Sequence, residues 1–340
     1  MKKVRWGVIG AGGIANLRTI PGMMLCENAE LEAVMDISME LAQKEREKWN
    51  CPKAYDTVES LLDDSDIDAV YIATPVFLHA AQAKAAADAG KHILIEKPIA
   101  ATSEEAQEIV EYCKKKNVLI AVGFMMRFGT IAQKMKQIIA DGKIGNPVSG
   151  YSQFVCYYPE IPNCWRQKKS SGGGGAMMDM GVHGLDLIQY VVGMRATELC
   201  AMHGTISFNY EVEDTSTVVL RMENGMQCVV QSNFNIPYEA GKSCIEIMGE
   251  KGSVIASGII GQVDGGALET RVSSGDDNNS CVVERIDNNF GNMYTREITS
   301  FSDSILHGTP VEVPAEEGIY IQRIMENAYR SNDTGKIIKL

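Results

Sequence analysis

Along the first 124 residues, short apolar runs alternate with longer stretches whose apolar positions recur at a helical period. Val4–Ile9 is the first run; it ends in glycines, and a helical pattern follows over 13–24. A second run over 31–35 ends at Asp36, and Ser38 stands where a helix cap belongs, ahead of 39–50. The third run, 69–74, precedes an alanine-rich helix over 77–89 that stops at Gly90. His92–Ile95 is the fourth, Thr102-Ser-Glu-Glu105 reads as a capping box for a helix reaching Lys116, and 118–124 is the fifth. Runs apolar on both faces, separated by helices of about 10–15 residues, describe a parallel sheet covered on both sides. The pattern predicts a doubly wound α/β domain over 1–124.

After a helix over 130–141 the period changes to two. Polar and apolar positions alternate over 148–158, 198–210, 216–222, 227–234 and 245–258, with Asn224-Gly225 and Glu250-Lys-Gly252 placed as hairpin turns. This predicts a large, mostly antiparallel sheet with one face covered, in an α+β domain over 125–340. Helices are expected over 177–192, 298–306 and 316–330. The outward positions between 216 and 234 are expected to include Val and Leu, an apolar face suited to pairing subunits.

Composition narrows the function classes. A length of 340 residues suits two domains, and a net charge of −12 excludes the basic surface that nucleic acid or an anionic membrane requires. No apolar run reaches about 18 residues, so no transmembrane helix is expected. Met1-Lys2-Lys3 enters the first apolar run with no leader-like segment. The nine cysteines are odd in number and scattered, without a Cys-x-x-Cys pair, which predicts reduced thiols, a cytoplasmic setting and no structural metal.

The turn Gly10-Ala-Gly12-Gly13-Ile14-Ala15 follows the first strand and opens the first helix, and Asp36 ends the second strand. A glycine string alone is weak; this placement matches the dinucleotide-binding fingerprint of a Rossmann domain. Gly10 permits the tight turn, Gly12 admits the pyrophosphate, Ala15 keeps helix and sheet close, and the helix N-terminus faces the negative charge. Asp36 accepts from the adenosine ribose hydroxyls. With Ile37-Ser-Met39 beside it and no Arg or Lys, NAD is expected over NADP. The competing reading is a plain strand-to-helix turn with a surface Asp.

Glu96-Lys97-Pro98 ends the fourth run, where ligands bind in open parallel sheets. A Lys beside a cationic nicotinamide suits hydrogen-bond donation to a reacting oxygen or proton transfer, and an X-Pro bond in the cis form would aim it. A strand-end ion pair is the alternative. Thr74, Pro75 and His79, at the tip of the third run, are placed for cofactor contact, although a His at a helix start also serves as a local hydrogen-bonding group.

The run Gly172 to Gly175 leads into Asp179, His183 and Asp186, which share one helix face. Four glycines let a backbone lie against a ligand. The trio reads as metal ligands, as a buried His satisfied by Asp186, or as a general base oriented by a carboxylate. Spacing alone leaves the last two equal.

Taken together, Gly10-Ala-Gly12, Asp36, Ala73-Thr-Pro75, the stretch from Ala89 to Glu96-Lys97-Pro98, Arg127-Phe128, Trp165-Arg166, the Gly172 run, Asp179-x-x-x-His183-x-x-Asp186 and the tail from Tyr329 resemble the Gfo/Idh/MocA family over nearly the whole chain. The resemblance implies that Lys97, Asp179 and His183 form the catalytic trio. It implies that Arg127, Trp165 and Arg166 line the meeting of cofactor and substrate, and that the second sheet pairs across a homodimer or homotetramer interface. Members transfer a hydride between nicotinamide and a ring hydroxyl of a sugar, cyclitol or polyol. His183 stands where some relatives carry Tyr, which leans toward the inositol and sugar dehydrogenases; Val76 stands where many carry Asn. Redox-assisted glycoside cleavage and a non-catalytic cofactor sensor are the alternatives within the resemblance.

Overall fold

In the computed structural model, which describes residues 2–274 and 280–340, the N-terminal runs become six parallel strands. These are β1 (Val4–Ile9), β2 (Ala29–Met35), β3 (Lys53–Tyr55), β4 (Ala69–Ile72), β5 (His92–Ile95) and β6 (Ile120–Val122). They lie in the order β3-β2-β1-β4-β5-β6, so strand addition reverses between β1 and β4, the switch point of a Rossmann sheet. Caps fall where the polar residues anticipated them. Ser38 accepts from the Leu41 amide, and Thr102 from the Glu105 amide at 3.1 Å. Glu105 reaches back to the Ala101 amide rather than to Thr102. Strand β3 and the short helix Val58–Leu62 add to the expected pattern. Three half-buried edge residues show no period, and Lys53 reaches the edge only because Glu32, Asp64 and Asp66 surround its ammonium.

Contacts divide the chain into two units, and the first takes Asn292–Gln322 in addition to Met1–Met125. An unbroken run of residues 125–340 in the second domain therefore does not describe the contacts. The helix Met293–His307 returns to the first sheet: Trp6 Nε1 donates to Ser302 Oγ at 3.2 Å, and its ring lies 5.9 Å from that of Phe301. At Gly22 a Cβ would stand 2.7 Å from Tyr294 Cβ, so only glycine permits this crossing.

Among the described residues the second unit carries nine strands in the order β14-β13-β12-β11-β7-β10-β9-β8-β15. They are β7 (Pro147–Val155), β8 (Ala196–Gly204), β9 (Thr215–Met222), β10 (Gln227–Asn233), β11 (Ile245–Gly249), β12 (Gly252–Ser257), β13 (Ala267–Ser273), β14 (Cys281–Ile286) and β15 (Ile338–Lys339). Among these described strands only β7 and β10 pair in parallel. Ser216, Val218, Leu220 and Met222 point inward, as do Cys228, Val230 and Ser232. Leu220 thus belongs to the core and not to the outward set, which holds Thr217, Val219, Arg221, Val229 and Gln231.

The helix Val182–Val192 covers the inner face at close range, since a Cβ on Gly184 would stand 2.8 Å from Val230 Cγ1 and 2.9 Å from Ser152 Oγ. The strand expected over 198–210 ends at Gly204 because the buried Asp214 carboxylate gathers the amides of Ile206, Ser207 and Phe208. Strands β13 and β14 were not marked by alternation; β14 is exposed along almost its whole length and has no inward face to encode. Among the described residues no helix is long and apolar enough to cross a membrane.

Candidate functional site

In the first unit the glycine turn is built by two different constraints. Gly10 has φ +87°, and a Cβ there would press on the Ala73 carbonyl at 3.0 Å; its amide donates to Met35 O at 2.9 Å. Geometry of the protein itself requires this glycine. At Gly12 the nearest protein atoms to a Cβ are Leu41 Cδ2 at 3.8 Å and Asp36 Oδ2 at 3.9 Å, so internal packing does not require one. What a Cβ at Gly12 would fill is the approach to the turn, as a cradle for a phosphate demands. Gly13 has φ +47°, Ile14 opens the widened first turn Ala15–Thr19, and Ala15 is fully buried against the sheet. Asp36 is half-buried beside this turn and accepts from the Ser38 amide at 3.1 Å. These residues fit a dinucleotide.

The neighbouring strand tips are tied together by His79. Its ring is buried, Nε2 lies 2.9 Å from Thr74 O, and Nδ1 lies 3.0 Å from Pro98 O. Burial pushes the imidazole below its ordinary pKa, opposed by those carbonyls. Both ring nitrogens face backbone, so the geometry gives His79 a holding role: it joins the Thr74-Pro75 turn to the Lys97–Pro98 turn, whose peptide bond is cis. Thr74 Oγ1 donates to Gln82 at 2.5 Å. Glu96 accepts from Tyr71 Oη, which accepts in turn from Thr19 Oγ1 at 3.0 Å, and Glu96 Oε2 accepts from the Lys97 amide at 3.1 Å. Lys97 is half-buried on a backbone fixed from both sides.

In the second unit a widened turn, Met177–Gly181, leads into the helix Val182–Val192. Such turns recur at functional sites because they offset a helix start from its regular track. Asp179 is half-exposed with Arg166 Nε at 4.0 Å, and the Arg166 guanidinium lies 4.4 Å over the Trp165 ring. Three residues named from sequence thus meet here. His183 is buried, with Phe154 edge-on at 6.3 Å. Burial, then the charge of Asp179, pushes the neighbouring Cys156 thiol up to about 12, so that sulfur stays protonated.

Arg127, expected to line the meeting of cofactor and substrate, bonds to the helix that bears His183. Its Nε donates to both Asp186 oxygens, at 3.0 and 3.1 Å, and Nη2 donates to Oδ1 at 2.5 Å. Both side chains are buried, at 9% and 2% exposure. With Asp186 spent on this guanidinium, the helix trio lacks a free third ligand. Among the described residues no group of three or more His, Cys, Asp or Glu is placed to hold a metal ion.

At three of the four glycines before the helix the protein itself leaves no room for a side chain. A Cβ on Gly172 would stand 2.8 Å from Arg166 O, one on Gly174 would overlap Tyr329 Oη, and one on Gly175 would overlap Glu213 O. Gly173 has φ +75°. Glu213 escaped the sequence reading altogether: it sits 38 residues from Gly175, and nothing local marks it.

Comparison with known proteins matches residues 4–124 to a family model described as oxidoreductase family, NAD-binding Rossmann fold, and residues 132–266 to the GFO/IDH/MocA C-terminal domain. The chain is 29% identical over 318 residues to a 1,5-anhydro-D-fructose reductase of Ensifer adhaerens, covering 93% of this chain and 92% of that protein. It is 27% identical over 345 residues to a myo-inositol 2-dehydrogenase of Thermotoga maritima, covering 99% and 98%. It is also 27% identical over 335 residues to a D-xylose 1-dehydrogenase (NADP(+)) of Haloferax volcanii, covering 98% and 99%. A solved levoglucosan dehydrogenase, in complex with NADH and L-sorbose, superimposes with a TM-score of 0.89 at 25% identity, covering 100% of this chain and 99% of that one.

Proposed function

The chain belongs to the Gfo/Idh/MocA family of oxidoreductases, and from that premise we propose that it transfers a hydride between a sugar, cyclitol or polyol hydroxyl and NAD. The observation that carries this reading is the start of the second unit's helix. There a half-exposed carboxylate, Asp179, stands one turn before the buried His183 and beside the Arg166 guanidinium. That set offers acceptors and donors for vicinal hydroxyls and one imidazole to take a proton. The substrate class follows the names of the relatives, which act on anhydrofructose, inositol and xylose.

The turn Gly10, Gly12, Gly13 and Ile14, with Asp36, Thr74, Pro75 and Lys97, would hold the dinucleotide, whose nicotinamide supplies the hydride acceptor when bound. His183 takes the hydroxyl proton at an imidazole nitrogen, its unperturbed pKa being near neutrality. Asp179 accepts from a second substrate hydroxyl and fixes which carbon presents its hydrogen. Lys97 Nζ donates to the oxygen as charge develops there; the pairing of Lys97 with the helix residues rests on the family likeness. Arg127 acts through Asp186 by holding the helix that bears His183. We further propose that the open face of the nine-stranded sheet, with Val219, Val229 and Tyr151 in register across β9, β10 and β7, pairs two copies of the chain.

The test is a panel of cyclitols, aldoses and glycosides with both cofactors, followed by His183→Ala on the best substrate. Turnover should fall roughly 10²- to 10⁴-fold, the usual worth of a general base, while calorimetric affinity for NAD stays unchanged. Near-normal turnover with an unaltered pH profile would refute the assignment. Cleavage of a glycoside with no net accumulation of reduced cofactor would favour redox-assisted cleavage instead.

A further inference from the structure

The helix that bears Asp179 and His183 begins without a cap of its own. Ala176 stands at the cap position in a helical conformation and offers no side-chain acceptor. The first amides of a helix have no partner within it, and a buried start needs acceptors from elsewhere. Here the amides of three consecutive residues at the helix start, Gly175, Ala176 and Met177, go to a single residue on the loop before β9. Glu213 Oε1 accepts from the Gly175 and Met177 amides, each at 2.9 Å, and Glu213 O accepts from the Ala176 amide at 2.9 Å. The carboxylate also lies at the positive end of the helix, where a negative charge is favoured.

The same oxygen accepts a third side-chain bond, from Tyr329 Oη at 2.9 Å. Tyr329 belongs to the C-terminal helix; its ring packs 4.9 Å from that of His203, whose Nδ1 lies 2.9 Å from Ser216 Oγ on β9. Glu213 is itself buried, at 8% exposure. The lack of room for a Cβ at Gly174 and Gly175 measures how tightly Tyr329 and Glu213 press on this segment. A shift of the carboxylate therefore moves the backbone two residues before Asp179.

We infer that Glu213 is a positioning residue for the reaction, capping the helix from a distant part of the chain so that Asp179 and His183 are held in productive register. This rests on the reading given under Proposed function. Misplacement of a reacting group by about 1 Å costs roughly a hundredfold in rate. Glu213→Ala removes the side-chain acceptor and leaves the amides of Gly175 and Met177 unbonded. Its kcat should fall at least about tenfold, with NAD affinity unchanged and a larger primary deuterium isotope effect as hydride transfer becomes limiting. Glu213→Gln keeps an oxygen at the same place and should recover kcat to within about threefold. A merely structural role would lower the folded fraction without raising the isotope effect.

Hydrogen exchange at Gly175 and Met177 supplies a readout independent of turnover. Their amides should exchange at least about tenfold faster in Glu213→Ala than in the parent and near the parent rate in Glu213→Gln. If Glu213→Ala does not fold, Tyr329→Phe, which removes one donor from the carboxylate and the hydroxyl oxygen that faces the Gly175 and Met178 amides, takes its place, with smaller changes in the same directions. Parent-like kcat, isotope effect and exchange in the folded variant overturn the inference, as does a Gln variant as impaired as the Ala variant. Should the parent turn over no member of the panel, the proposed function fails, and the exchange rates still decide the role of Glu213.

Discussion

Replacing Asp186 by Asn tests whether Arg127 is a ligand contact or a structural clamp. The guanidinium makes three hydrogen bonds to the carboxylate, and exposures of 9% and 2% leave almost no water to take over if one partner is lost. Breaking such a pair from one side leaves a buried guanidinium without its carboxylate and destabilises by about 3–5 kcal/mol. In a unit of this size each kcal/mol moves the melting temperature by about 2–4 °C, so Asp186→Asn should melt about 6–20 °C lower. Removing both charges, in Arg127→Met with Asp186→Leu, is near neutral in comparable pairs. The double variant should therefore melt within a few degrees of the parent. Arg127→Lys should not substitute, because an ammonium cannot reproduce the fork that meets both oxygens.

The assay is a thermal melt of the four proteins alongside calorimetric titration with NAD. If Arg127 only clamps the helix, the double variant regains stability and binds NAD like the parent. If the guanidinium contacts the cofactor, stability returns and binding does not. A loss of less than about 1 kcal/mol in Asp186→Asn would refute the reasoning, since it would mean that the pair is solvated well enough to be worth no more than a surface ion pair.

Three further outcomes are expected. NAD should bind about a hundredfold more tightly than NADP, because Asp36 meets the extra phosphate without a neighbouring cation, and Asp36→Ala should narrow that gap in calorimetry; equal affinities in the parent would defeat the argument. His79, whose pKa is lowered by burial, stays neutral in the fold while the unfolded chain takes up a proton below about pH 6.5. Stability should therefore fall as pH drops from about 6.5 toward the depressed folded-state value, by up to about 1.4 kcal/mol per unit, and His79→Gln should flatten that part of the melting profile. Light scattering should return a dimer or tetramer at micromolar concentration, and Val229→Glu should yield a monomer; a monomeric parent would exclude the open sheet face as an interface.

The sequence carried those parts of the fold that a repeating period or a local cap can encode. Apart from β3, the strands of the first sheet carry short runs of buried apolar residues, and Ser38 and Thr102 sit within three residues of the amides they cap, so each element is legible in a short window. Strand β3 and strand β14 are not, because a three-residue edge and an exposed edge bury no face and leave no alternation to read. The return of Asn292–Gln322 to the first unit was equally hidden. Its helix is amphipathic whichever sheet it covers, and only partners such as Trp6 and Gly22, about 270 residues or more away, decide the matter.

The two glycine clusters show why site residues divide in the same way. Both read from sequence as backbone made bare for a ligand. At Gly12 the nearest protein atoms lie beyond 3.7 Å of a would-be Cβ, so the chain itself leaves that space open. At Gly174 and Gly175 that space is already taken by Tyr329 and Glu213. A glycine in a sequence records that a side chain is excluded and says nothing about what excludes it. The distinction needs the far partner, and for the second cluster that partner is a carboxylate whose hydrogen bonds all cross long stretches of chain. Groups that share one face of a periodic element, such as Asp179 and His183, can be brought together by spacing. A group bonded to such an element from outside, such as Glu213, becomes visible only when the fold brings its acceptors and donors together.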